Sequence, residues 1–171
     1  MLTIPTNTHS LTRETLLDEH AQLHRLTGEQ TSKYWDLIRA TIYESHIPEA
    51  VADESMLSEV FSRLVAEEMD AWFSMTAVEE DGKKRMNLRG VIVTVIRNEP
   101  CGGTKHLQVY SVKGFGHLSM AAVSQAWDIL KEYGLSKGCQ RLVSATSKDN
   151  NASIHRKLGG VRACEVYTWE L

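Results

Sequence analysis

The most informative part of this sequence is Leu107-Gln108-Val109-Tyr110-Ser111-Val112-Lys113-Gly114-Phe115-Gly116, followed by a segment of helical period over residues 117–133. The stretch begins as a strand, and its two glycines end that strand before the helix. A strand, a glycine loop and a helix in this order present backbone N–H groups at the positive end of a helix dipole. The stretch therefore predicts a site for an anion such as a phosphate, with a plain tight turn as the alternative.

The glycine loop (residues 112–118) is neither a P-loop, which ends in Gly-Lys-Ser/Thr, nor a dinucleotide-binding fingerprint, which needs one more glycine. More information comes from the sequence after the helix. We predict a second strand over residues 139–146, the polar turn Lys148-Asp149-Asn150-Asn151, a short helix over residues 152–158 and a final strand ending at residue 171.

This order resembles the GNAT superfamily of acyl-CoA-dependent N-acetyltransferases. Ser111-Val112-Lys113-Gly114-Phe115-Gly116 is similar to the family pattern Gln/Arg-x-x-Gly-x-Gly/Ala, with Ser111 at the usual Gln or Arg position. Residues 150–160 resemble the family's Asn-rich turn and short helix, but His155 stands where a tyrosine is usual and Gly160 where an aromatic residue is usual. The resemblance implies an α+β fold, with a central mixed, mainly antiparallel sheet flanked by helices.

The resemblance also implies acetyl-CoA as co-substrate and direct attack of a primary amine on its thioester. The pantetheine would lie between strands 107–112 and 139–146, with the backbone near Val109 and Tyr110 donating to the oxyanion. In the loop, Gly114 and Gly116 would allow close approach and Lys113 would add positive charge. The implied cofactor-binding residues are Val109, Tyr110, Ser111, Val112, Lys113, Gly114, Phe115, Gly116, His117, Asn150 and Asn151.

Two catalytic residues are proposed at this stage, His155 and Tyr110. The imidazole of His155 titrates near neutrality and could protonate the leaving thiolate, and Tyr110 or Tyr167 could replace it as the acid. The strand before the loop lacks the glutamate that often serves the family as base. His106, Glu79 and a chain of water molecules remain open as the route for the amine proton.

Length and composition predict a single soluble globular domain over residues 11–171, preceded by a polar N-terminal arm over residues 1–10. Residues 1–100 hold 10 Lys and Arg against 17 Asp and Glu, a net charge of −7, whereas residues 101–171 hold 9 against 5, a net charge of +4. A basic second half suits a polyphosphate ligand such as coenzyme A. We expect a cytoplasmic protein without a metal site and without membrane or nucleic-acid partners.

The remaining elements are predicted from periodicity. A helix is expected over residues 32–45 and another over residues 54–69, and the resemblance implies that this pair lines the acceptor site. Strands are expected over residues 72–78, 88–96 and 105–112, of which the second is apolar on both faces and therefore central. Residues 11–26 allow a helix, or a short strand at residues 22–27. Gly134 is expected to cap the helix after the glycine loop.

A second hypothesis is a catalytically silent GNAT-fold module in a larger assembly, such as a virion component of a phage. The departures at Ser111, His155 and Gly160 motivate it, and the N-terminal arm would then contact an assembly partner or another copy of the chain. The two loop glycines favour the enzyme, because a purely structural domain has no reason to keep a bare loop before a helix.

Overall fold

The structure is a computed structural model that describes residues 22–45, 54–80, 83–99, 103–116, 118–145 and 149–162. The predicted N-terminal arm, His117, Tyr167 and most of the predicted final strand lie outside these residues. None of the described helices is both long and apolar enough to span a bilayer.

The described chain is an α+β structure, as the sequence predicts. Its elements are β1 (Gln22–Arg25), α1 (Gly28–Lys33), α2 (Trp35–Ser45), α3 (Glu54–Val65), β2 (Met69–Glu80), β3 (Lys83–Asn98), β4 (Lys105–Gly114), α4 (Met120–Ser136), β5 (Arg141–Ser144) and α5 (Asp149–Lys157). The strands form one five-stranded sheet in the order β1-β2-β3-β4-β5. Neighbouring strands are antiparallel except β4 and β5, which are parallel.

Helices cover both faces of the sheet, and β3 contributes to both layers of the core. Val91, Val93 and Val95 pack with α2 and α3 on one side, here called the α2–α3 face. Ile92 packs on the opposite side with Leu130 of α4, here called the α4 face. Because alternate residues of a strand point to opposite faces, burial on both sides requires a run that is apolar throughout. The prediction of a covered central strand is confirmed.

The N-terminal boundaries differ from the helices predicted by periodicity. Within residues 22–27 the chain forms β1, so the strand alternative is confirmed there. The predicted helix over residues 32–45 is two helices, α1 and α2. The polar segment of α1 has no apolar period, but Thr27 and Gln30 cap each other's backbone N–H groups in a capping box. Capping and tertiary contacts therefore stabilise α1, which hydrophobic periodicity did not predict.

The helix α3 ends at Val65, four residues before the predicted end at residue 69. Glu67 adopts a left-handed φ of 57°, which breaks the helix, and Met69 already belongs to β2. β2 and β3 both extend beyond their predicted bounds because they pair with each other along their whole length, from Met69 with Val95 to Glu80 with Lys83.

The helix α4 begins at Met120 and not at residue 117, because Ser119 is its N-cap and accepts a hydrogen bond from the Ala122 N–H. Gly134 lies inside the helix and is not its cap. Gly138, with φ of 75°, ends the helix instead. The N–H groups of Gly138 and Cys139 donate to the carbonyls of Leu135 and Gly134, as in a Schellman motif.

Three boundaries near the predicted site also change. β4 continues to Gly114, so Lys113 and Gly114 belong to the strand and not to the loop. β5 covers only Arg141–Ser144, whereas residues 139–146 were predicted. Asn150 and Asn151 lie in the first turn of α5 and not in a turn before it.

Candidate active site

A β-bulge lies in the middle of β4. The pairing with β3 changes from Val93 opposite Ser111 to Thr94 opposite Val109, so Tyr110 is an extra residue in the ladder. The extra residue lets two consecutive side chains point to the α2–α3 face. The Tyr110 hydroxyl lies 3.8 Å from Sδ of Met56 in α3, and Oγ of Ser111 lies 3.4 Å from the Thr41 carbonyl oxygen in α2. Bulges of this kind redirect side chains next to functional sites.

The described pairing of β4 with β5 ends just before this bulge. The two strands pair from His106 with Arg141 to Val109 with Ser144. Beyond Val109, within the described chain, β4 pairs with β3. We call the side of β4 that faces β5 along residues 110–114 the gap. A strand edge can pair with an extended ligand through its N–H and C=O groups.

The glycine loop lies at the open end of this gap, directly before α4. Gly116 has φ of 75°, a conformation that favours glycine, and a Cβ added there would meet no atom within 4 Å. Gly114 differs, because its Cβ would lie 2.8 Å from Cδ1 of Leu118. The N–H of Phe115 donates to the Arg89 carbonyl at 2.8 Å, which fixes the start of the loop to β3. Of the two loop glycines, only Gly116 borders open space.

Lys113 does not add its charge to the loop as predicted. Its ammonium forms an ion pair with Glu44 of α2 and lies 5.7 Å from the centre of the Phe115 ring. Lys113 and Ser111 point to the same face, and both contact α2. The positive potential at the loop therefore comes from the N-terminus of α4, whose first amides have no partner within the helix.

A cavity of about 60 Å³ lies between α4 and the sheet, beneath the glycine loop. Its lining is almost wholly apolar and includes Val112, Leu118, Ala126 and Trp127. Val112 is 43% exposed, since it borders the gap between β4 and β5. The α4 side of the gap therefore offers a hydrocarbon surface and few polar contacts.

His155 lies on the α4 side of the sheet. Its ring centre is 5.8 Å from that of Trp127, with the planes inclined at 50°. Burial lowers the pKa of His155 below its ordinary value, because a charged imidazolium loses solvation there. The neutral imidazole is thus the dominant form at neutral pH, and in this form the ring has a nitrogen lone pair that can accept a proton.

Tyr110 lies on the opposite face from His155. Burial raises the pKa of Tyr110, and the nearby Arg97 and Arg63 oppose that change. The phenol therefore keeps its proton at neutral pH and can donate a hydrogen bond. The side chains of the two predicted catalytic residues are not brought together; one approaches the sheet from each side.

The sequence analysis missed several residues of this site. Trp127 on α4, which contacts His155, was not among the predicted apolar positions of that helix. Met56 and Glu44 hold Tyr110 and Lys113 from α3 and α2. These contacts join residues more than 25 positions apart, and no local pattern identifies such pairs. Val109 is buried on the α4 face, as expected for a residue that contributes only its backbone.

Comparison with solved structures found acetyltransferases with the same arrangement of elements. The aminoglycoside acetyltransferase AAC(6')-Iy, in complex with the bisubstrate analogue CoA-S-monomethyl-acetylneamine, is 18% identical with a TM-score of 0.61, over 89% of this chain and 98% of its own. A predicted acetyltransferase from Clostridium acetobutylicum, solved with acetyl-CoA, is 10% identical with a TM-score of 0.62, over 88% of this chain and 96% of its own. A ribosomal-protein-alanine N-acetyltransferase from Brucella melitensis biovar Abortus 2308 is 14% identical with a TM-score of 0.59, over 89% and 99%.

Comparison with protein-family models gave no match, and neither did comparison with curated proteins. Sequence identities this low establish the fold but not the activity. The agreement extends over most of each compared chain. The chain therefore has the fold of the GNAT superfamily of acetyltransferases.

Proposed function

We propose that this protein is an N-acetyltransferase that transfers an acetyl group from acetyl-CoA to a primary amine by direct attack. The observation that carries the proposal is the bulge at Tyr110, where the described pairing of β4 with β5 ends, next to a glycine loop and a helix N-terminus. Support comes from neighbours of the same fold that were solved with CoA or acetyl-CoA.

In this proposal the cofactor follows the edge of β4 that faces β5. The amide groups of pantetheine pair with the backbone of residues 110–114, and the pyrophosphate lies at Gly116 and the first amides of α4. The open space at Gly116 favours that approach, since a Cβ added there would meet no atom within 4 Å. Val112 and the apolar lining beneath α4 contact the hydrocarbon part. Asn150 and Asn151 would contribute from the first turn of α5.

The reaction needs a neutral amine, donors for an oxyanion and a path for one proton. The amine nitrogen attacks the thioester carbon, forming the C–N bond, while the carbonyl oxygen gains negative charge near the backbone N–H groups of Val109 and Tyr110. The C–S bond then breaks and releases the CoA thiolate. His155, neutral at rest, accepts the proton that the amine loses and returns it to the thiolate.

The first test is thermal unfolding with and without acetyl-CoA. Ligand at 100 times its dissociation constant stabilises a protein by about 2.7 kcal/mol. For a chain of this size that free energy corresponds to a rise of roughly 5–11 °C in Tm. ATP at the same concentration is the control for non-specific polyphosphate binding. A similar rise with ATP, or no rise with millimolar acetyl-CoA, would contradict the assignment of the gap as a cofactor site.

The second hypothesis, a silent module in an assembly, gains no support from the compared structures, which are acetyltransferases. The predicted N-terminal arm lies outside the described residues, and its contact with a partner stays a prediction. Turnover separates the two hypotheses directly, since a silent module would release no thiol from acetyl-CoA in the presence of any amine.

A further inference from the structure

A row of basic side chains crosses three neighbouring strands near the bulge. Arg97 of β3 is directly opposite His106 of β4, and His106 is directly opposite Arg141 of β5. Side chains directly opposite each other on neighbouring strands lie about 5 Å apart at Cβ. We call Arg97, His106 and Arg141 the basic row.

All three side chains point to the α2–α3 face. Leu107 and Leu142 pack on the α4 face, so their neighbours His106 and Arg141 point the other way. Val95 packs on the α2–α3 face, so Arg97, two residues later, points there as well. Arg97 and Arg141 are exposed and His106 is half-buried. The basic row therefore lies on the face to which the bulge directs Tyr110.

The basic row has no acidic counterpart within the part of the chain that the structure describes. None of its side chains forms an ion pair or hydrogen bond there, although most other described cations nearby do, as Arg63 does with Glu68 at 3.6 Å. An oxyanion bound between Arg97 and Arg141 would be a partner for both side chains, and arginine forks match carboxylate and phosphate geometry.

The basic row is also close enough to Tyr110 to act on the same ligand. His106 and Tyr110 lie on the same strand, and Arg97 is directly opposite His106. Along β4, His106 precedes Tyr110 by four residues, which is roughly 13 Å at about 3.3 Å per residue. Long arginine side chains shorten this span, so one small molecule can reach from the row to the bulge.

We propose that the acceptor is a small amine that carries a carboxylate or phosphate group several bonds from its nitrogen. The basic row holds the oxyanion, and the amine reaches the gap beside Tyr110. This inference rests on the proposed acetyltransferase activity, and it names the acceptor as an anion-bearing amine. The compared enzymes include aminoglycoside acetyltransferases, one of them solved with sisomicin, so the expected acceptor differs in charge from an aminoglycoside.

The test is a series of amines with one six-carbon chain and different distal groups: hexylamine, 6-aminohexanoate, 6-aminohexyl phosphate and 1,6-diaminohexane. The proposal predicts kcat/KM for the two anionic amines at least about tenfold above that of hexylamine, with the diamine lowest. The double substitution R97Q/R141Q should bring the ratio of anionic to neutral amine close to one. Lys131→Gln, on the exposed side of α4, is the control and should leave the ratio unchanged. The preferred anion of the two identifies carboxylate or phosphate as the natural group.

Equal kcat/KM across the series, or preference for the diamine, would overturn the inference while leaving the acetyltransferase intact. If no amine is acetylated, the same four compounds are titrated into the protein with the NMR signals of the His106 ring as readout. If only the two anionic compounds shift the His106 signals, the basic row binds anions even though no acetylation is detected. Unchanged His106 signals would overturn it. The acetyl-CoA melting experiment reports separately on the cofactor site.

Discussion

Replacing Gly116 with alanine should separate cofactor binding from stability. Gly116 has φ of 75°, and a Cβ there meets no protein atom within 4 Å. Gly138, beyond the C-terminus of α4, has the same φ of 75° and is equally open. The two positions therefore pose the same conformational problem for alanine. Only Gly116 lies where the proposed pyrophosphate would approach the backbone.

The stability cost follows from the backbone conformation. A residue with a Cβ in the left-handed region costs roughly 1–2 kcal/mol relative to glycine. With about 2–4 °C per kcal/mol for a protein of this size, each variant should melt roughly 2–8 °C below the parent. Because neither Cβ meets a neighbour, no steric term distinguishes Gly116→Ala from Gly138→Ala.

The discriminating measurement is the rise in Tm on adding acetyl-CoA. Gly138→Ala should keep the full rise of roughly 5–11 °C, calculated for a stabilisation of about 2.7 kcal/mol. Gly116→Ala should lose most of it, because its methyl group occupies the space of the ligand. If both variants respond like the parent, the loop does not hold the pyrophosphate. If both lose the response, the effect is a general loss of structure.

Two further predictions concern α4 and α5. The Tyr133 hydroxyl donates to the buried Asp70 carboxylate at 2.7 Å, and Asp70 also forms an ion pair with Arg25 at 2.8 Å. Tyr133→Phe should lower the free energy of unfolding, measured in urea, by about 1–2 kcal/mol. The control Tyr43→Phe, at a position that is 64% exposed, should leave this free energy unchanged. Burial lowers the pKa of His155 below its ordinary value of about 6.5, so kcat/KM should fall only when the pH drops through that lowered pKa and protonation removes the base. His155→Gln should be slower by about a hundredfold or more and should lack this acidic limb. The same shift makes the unfolded chain the better proton acceptor, so stability should also decline below about pH 6.5, and less so in His155→Gln. An unchanged acidic limb in that variant would exclude His155 as the base.

Local sequence patterns predicted most of the secondary structure around the site. The central run of β3 is buried on both faces and is apolar except for Thr94, whose hydroxyl accepts a hydrogen bond from the Trp72 ring N–H at 2.9 Å. The glycine loop and the short C-terminal helix indicated the GNAT fold, and the comparisons confirm that fold. The boundaries were less accurate: Ser119 and Gly138 set the ends of α4, whereas apolar periodicity had placed them at His117 and Gly134.

The two loop glycines illustrate what a motif does not specify. Both fit the pattern, yet Gly114 ends β4 against Leu118 and only Gly116 faces open space. Likewise Lys113 has the positive charge that a phosphate site needs, but its ammonium forms an ion pair with Glu44 of α2. Neither outcome follows from local sequence, since each depends on which distant element lies above the strand.

The sequence by itself determined the order of strands and helices, the apolar central strand and the glycine that a left-handed loop position requires. These features depend on secondary-structure propensity, hydrophobic periodicity and backbone dihedral angles, all of which act within a few residues. Only the tertiary structure decided that Tyr110 forms a bulge and that Arg97, His106 and Arg141 lie opposite one another in one row. Those features depend on the register between strands. Register is set by the packing of whole faces and by pairing partners far apart in the chain, which no local pattern encodes.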